Sequence, residues 1–176
     1  TGTKDATTFL SGDNTFNTPP LGVITEADQW RLTADLTGTN AIISSNLERI
    51  DTSGQGTLGT GMTESSGIFT FPSTGIWLVQ FDGNAQNDSA TDNMAVLMKA
   101  RINNSSYNTI AYGTTSSGGT AQNQAGTIFC QSLCDVTNTT NVKILFETSS
   151  FAGASFLGGN TNENYSTFTF IRLGDT

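Results

Sequence analysis

Between Asp82 and Asp92 three carboxylates (Asp82, Asp88 and Asp92) and several amide oxygens fall within eleven residues. That donor set suits a hard cation such as Ca²⁺. The run lacks the central glycine and closing glutamate of an EF-hand loop, so it reads foremost as a solvated hairpin loop, with those three aspartates as the calcium candidates. The sequence contains no His, which rules out a Ser-His-Asp triad, a Cys-His pair and a His-ligated metal. Fifteen acidic residues leave a glycosidase-type carboxylate pair possible by composition. No pair, however, stands at a strand end beside an aromatic platform. No catalytic residue, cofactor or enzymatic activity is expected.

Cys130 and Cys134 lie four apart in an apparent strand, which sets their α-carbons roughly 13 Å apart along an extended chain. A disulfide spans less than about 7 Å. They read as small apolar fillers on one side of a sheet. Five Asn-x-Ser/Thr sequons, at Asn87, Asn103, Asn104, Asn138 and Asn164, are what a chain rich in these residues gives by chance.

The net charge of -8 rests on only seven basic residues, spread along the chain. A nucleic-acid surface needs cations clustered and in excess. No apolar run approaches 18 residues, so membrane insertion by a helix is not expected. Lys99 and Arg101 share one strand face beside Leu97 and read as a solvated or salt-bridged pair rather than an anion site.

The 176 residues suit one domain. Residues 1–22 are polar, close on Pro19-Pro20 and Gly22, and read as an arm or linker before a domain at 23–176. Beyond Trp30, short apolar or alternating runs recur between Gly, Ser, Asn and Thr clusters, the spacing of an all-β sandwich. Strands are expected near 29–36, 42–50, 67–72, 75–86, 94–102, 107–113, 125–136, 141–148 and 164–173. Loop 149–159 carries Phe151, Phe156 and Leu157 among small residues. These side chains either plug the end of the sandwich or contact a neighbouring subunit, a capsid or a host receptor.

Two strands are apolar on both faces. One sets Trp77, Val79 and Phe81 against Ile76 and Leu78, and the other sets Phe168 and Phe170 against Tyr165, Ile171 and Leu173. Because an exposed strand should alternate, the second face needs a cover from a loop, the arm or another subunit.

Gly67, Phe69, Thr70, Pro72, Gly75 and Trp77, together with Tyr165, Ser166 and Phe168, resemble the opening hairpin and closing strand of the complement C1q and tumour-necrosis-factor-like jelly rolls. Thr167 and Thr169 depart from the usual closing pattern. The resemblance covers roughly residues 28–174 and implies an antiparallel sandwich of about ten strands that assembles as a homotrimer. It implies Tyr165, Thr167, Thr169 and Ile171 as the axis-facing set, and Phe69, Trp77, Phe81, Phe168 and Phe170 as core.

The Thr/Asn/Gly-rich chain, the absence of a collagen-like stalk and the segment Thr60 to Gly67 are similar to structural proteins of tailed phages. That resemblance implies a non-enzymatic virion protein on the outside of the particle. It would be either a trimeric capsid decoration or a host-adhesion fibre tip. Its partners would be other virion proteins, reached through residues 1–22, and a host surface glycan or protein. The alternative is a secreted trimeric binding module of cytokine or lectin type.

Overall fold

The computed structural model describes residues 8–10, 12, 15–17, 24–38, 40–87, 92–117, 124–152 and 154–176. These residues form strands and no helix. In chain order they are β1 (Phe9–Leu10), β2 (Phe16–Asn17), β3 (Ala27–Leu32), β4 (Leu36–Thr37), β5 (Leu47–Arg49), β6 (Thr63–Ser65) and β7 (Ile68–Thr70). The chain continues through β8 (Gly75–Asn87), β9 (Asp92–Arg101), β10 (Asn108–Ser117), β11 (Gln124–Val136), β12 (Lys143–Ser149), β13 (Ser155–Leu157) and β14 (Ser166–Gly174).

Two antiparallel sheets pack as a jelly-roll sandwich. One has the order β10-β9-β12-β7-β6. In the seven-stranded sheet β11 runs along the whole of β8. On its other side β8 carries β14, which leads to β3 and β5, and at its end β13, which leads to β4. Most of residues 1–22 lie outside the described set; within it, β1 pairs with β2 as a separate ribbon.

The core lies where alternating positions of the two sheets meet. Trp77, Val79 and Phe81 of β8, Phe168 and Phe170 of β14, and Phe69 and Phe71 at and after β7 are all buried. Phe146 of β12 sits among them, with ring centroids 4.8 Å from Phe168, 5.9 Å from Phe81 and 6.0 Å from Phe69. Such aromatic pairs add about 0.5–1.5 kcal/mol each beyond their area burial. At the turn between β7 and β8, Gly75 holds φ +137° and a Cβ there would collide with the Gly174 carbonyl. The turn is closed further by the Trp77 indole, which donates to the Ser73 carbonyl at 3.2 Å.

Several expected boundaries shift. The expected strand at 42–50 reduces to a bridge at Ile42 and the short β5, broken at Asn46 with φ 60°. The expected strand at 75–86 runs to Asn87, so the first half of the Asp82–Asp92 run, read as a hairpin loop, is strand. Gly83 is tolerated inside β8 because the Phe81 ring occupies the space its Cβ would need. Residues 155–157 of the expected 149–159 loop form β13, which pairs with both β8 and β4.

Residues 51–62 form a long loop strapped onto β3 by carboxylates. The buried Asp28 accepts from the Met62 backbone N–H at 2.7 Å, the Trp30 indole at 2.9 Å, Thr57 at 3.1 Å and Arg49 at 3.1 Å. Glu26 accepts from the Thr60 N–H at 2.9 Å. Gly59 and Gly61, at φ +77° and +75°, supply the left-handed backbone that turns these N–H groups inward.

Candidate association face

The outer face of the seven-stranded sheet follows from the same period-two alternation that buries the phenylalanines. Its rows are fixed by register across four strands. In one row Leu133 of β11 faces Leu78 of β8, which faces Ile171 of β14, which faces Ala27 of β3. The next row is Gln131, Gln80, Thr169 and Gln29, and the third is Phe129, Asp82, Thr167 and Arg31.

The first row is an apolar stripe that the described residues leave uncovered at its β11 end. Leu133 is 62% exposed and Phe129 48% exposed, while Leu78, Ile171 and Ala27 are half-buried by their neighbours. The second row is a ladder of amide and hydroxyl bonds: Gln80 Nε2 donates to Gln131 Oε1 at 3.1 Å, and Gln29 Nε2 donates to Thr169 Oγ1 at 2.8 Å. The β3 border is charged. Arg31 is buried and donates to Glu48 at 2.6 Å, Asp51 at 2.9 Å and Thr52 at 2.7 Å. The hydrogen bond from Arg31 holds the Glu48 carboxyl below its usual range. At the opposite border a Cβ on Gly113 of β10 would collide with the Phe129 backbone, so β10 and β11 close the sandwich tightly there.

Thr167, Thr169 and Ile171 lie on the outer side. Tyr165 is 42% exposed just ahead of β14, Thr167 is buried, and Thr169 and Ile171 are half-buried. Phe69, Trp77, Phe81, Phe168 and Phe170 lie inside. The exposed Phe129 and Leu133 complete the face and escaped the sequence reading, although the alternation with the buried Ile128, Cys130 and Cys134 carries their signal.

Phe151 and Leu157 are buried in the core and Phe156 is half-buried, because pairing of β13 with β8 and β4 turns this segment inward. Of the two alternatives for this loop, the burial of Phe151 and Leu157 fits the plug rather than a contact surface. The calcium candidates Asp82 and Asp92 belong to different sheets. Asp82 projects from the middle of the outer face, between Phe129 and Thr167. Asp92 opens a strand of the other sheet, where it accepts from the Ala152 N–H at 2.8 Å and from the Ser155 hydroxyl. Asp88 lies outside the described residues. No group of three metal-binding side chains occurs among the described residues.

Cys130 and Cys134 are buried, unpaired thiols on the inner side of β11, and burial pushes both up to about 11. A thiol so raised is a poor nucleophile near neutral pH. What this face offers is apolar area bordered by amides and charge, which is the chemistry of a protein contact.

No family model matches this sequence, and no curated protein matches it. Solved structures are similar in fold. A structure of Eiger TNF from S. frugiperda superposes with TM-score 0.65 at 14% identity, covering 88% of this chain and 96% of that one. Murine APRIL at pH 5.0 gives TM-score 0.60 at 11% identity, covering 84% of this chain and 98% of that one. Its structure at pH 8.5 gives 0.59 at 9% identity, with the same coverage. The chain therefore has the tumour-necrosis-factor-like jelly-roll fold.

Proposed function

We propose that this chain is a non-enzymatic binding module that works as a homotrimer assembled on the outer face of the seven-stranded sheet. The observation that carries the reading is the continuous apolar stripe Leu133-Leu78-Ile171-Ala27 across four strands of that face. Fully burying one exposed Leu or Phe side chain contributes about 1.5–3 kcal/mol. Three copies around one axis bury three such stripes with closed symmetry.

Hydroxyl-radical footprinting at micromolar concentration tests this. Phe129 and Leu133, 48% and 62% exposed in the isolated chain, are expected to label far less than Ile102, which is 50% exposed on a turn. Equal labelling would sink the reading.

On the finer reading the trimer is a virion protein displayed on the particle exterior, as a capsid decoration or a fibre tip, with residues 1–22 as the attachment arm. Three arms acting together would add avidity. Support comes from the Thr/Asn/Gly-rich composition and the segment Thr60 to Gly67. Deleting residues 1–22 should abolish particle binding and leave the trimer intact; undiminished particle binding removes the arm from the account. The second reading, a secreted cytokine-like module, is favoured by the fold shared with Eiger TNF and APRIL. Genome context separates the two, since a neighbouring capsid or tail gene supports the first and a secretory precursor supports the second.

A further inference from the structure

On the outer face of the five-stranded sheet, away from the association face, one ladder row joins two cations. Arg101 of β9 lies directly opposite Lys143 of β12, which lies opposite Thr70 of β7. Like charges directly opposite across a ladder are destabilising. The other described cations are offset: Arg31 by Glu48 and Asp51, Arg49 by Asp28, Lys99 by Glu147 and Arg172 by Asp175. Among the described residues neither Arg101 nor Lys143 forms an ion pair, in a chain of net charge -8.

Both groups are held in place. Lys143 Nζ donates to Thr70 Oγ1 at 2.9 Å and to the Thr139 carbonyl at 2.8 Å, which leaves one hydrogen uncommitted. The Arg101 guanidinium stacks over Tyr107, 5.5 Å from the ring centroid. Arg101 Nε and the Tyr107 hydroxyl are both buried without a hydrogen-bond partner. A buried donor left unmade is costly, so two on a stacked pair of side chains point to a missing acceptor. Asn104 Nδ2 donates to Asn141 Oδ1 at 2.7 Å and ties together the two turns that flank the pair. Burial and then the charge of Arg101 lower the Lys143 pKa, and an anion on the pair would relieve the second of these.

We propose that Arg101, Lys143 and Tyr107 form a binding site for a small oxyanion group: a sulfate, a phosphate or a carboxylate. The guanidinium supplies forked donors, the ammonium its free hydrogen, and the phenol its hydroxyl. The site is independent of trimer formation, because it uses the other sheet.

The test follows the Arg101 Nε–H resonance of the full chain by NMR while sodium sulfate, phosphate or acetate is added, with sodium chloride at matched ionic strength as reference. A saturable shift with at least one oxyanion and none with chloride is expected, and the anion that saturates at the lowest concentration identifies the chemistry. Lys143→Gln should weaken binding roughly tenfold or more, the scale of one charge-assisted hydrogen bond. Lys99→Gln should leave it unchanged, since Lys99 is already paired with Glu147. A response linear in salt and equal to that of chloride, or an unchanged affinity in Lys143→Gln, overturns the site. The wild-type titration decides the matter even if a variant misfolds.

Discussion

Leu133 and Leu78 stand directly opposite each other on neighbouring strands of the seven-stranded sheet, Leu133 mostly exposed and Leu78 half-buried. The pair begins a stripe that continues through Ile171 to Ala27. An apolar stripe at the middle of a sheet face has more to gain from a second surface than scattered apolar residues do.

Replacing Leu133 by Asp should therefore break self-association and leave the fold intact. A carboxylate buried in an interface without a partner costs several kcal/mol, so association should weaken by roughly a hundredfold or more. Sedimentation measures the first effect and thermal melting the second. A variant that associates normally would move the interface elsewhere.

Phe146→Ala should destabilise the sandwich by about 3–5 kcal/mol, the cost of an aromatic-to-alanine cavity in a closed core. Denaturant unfolding measures it. Tyr112→Ala, on the exposed side of β10, should cost less than about 0.5 kcal/mol in the isolated chain.

How far the sequence reveals such residues depends on the range of the forces that place them. Phe69, Trp77, Phe168 and Phe170 stand in the hairpin and closing-strand motifs, and it is the family resemblance rather than the alternation that implies them as core. Phe146 follows Ile144 and Leu145, all three are buried, and an unbroken apolar run hides which side faces the core. Asp82 to Asn87 carry two readings, the end of a strand at 75–86 and the start of a hairpin loop, and β11, β14 and β13 supply the ladder partners that keep the stretch extended. The strap on residues 51–62 was not legible at all. Its carboxylates at Glu26 and Asp28 act on backbone groups 34 residues away, and no local pattern announces that distance. Of the outer face, the closing strand was legible through its apolar second side, whereas the exposure of Phe129 and Leu133 depends on what the neighbouring strands leave uncovered.

Asp28→Asn should loosen this strap. Arg49 would lose its ionic partner and the Met62 N–H its charged acceptor, for a loss of about 1–3 kcal/mol. Hydrogen exchange should show faster exchange at Met62 with little change at Phe81. Unchanged protection at Met62 would mean that the glycine turns alone hold the loop.

The two cysteines set a limit on the alkaline side. Their folded thiols titrate at about 11 against an ordinary value of 9.0. The unfolded chain therefore loses these protons first, and stability falls as pH rises from 9 towards 11, with no contribution from the thiols below that window. Melting temperatures from pH 7 to 11 check the direction, and Cys130→Ser with Cys134→Ser should flatten the decline.

Self-association on the outer sheet face is read by sedimentation equilibrium of the full chain at micromolar concentration. A species of three times the 18.5 kDa chain mass is expected, reduced to one by Leu133→Asp. A wild-type chain that sediments as a folded 18.5 kDa monomer would contradict it.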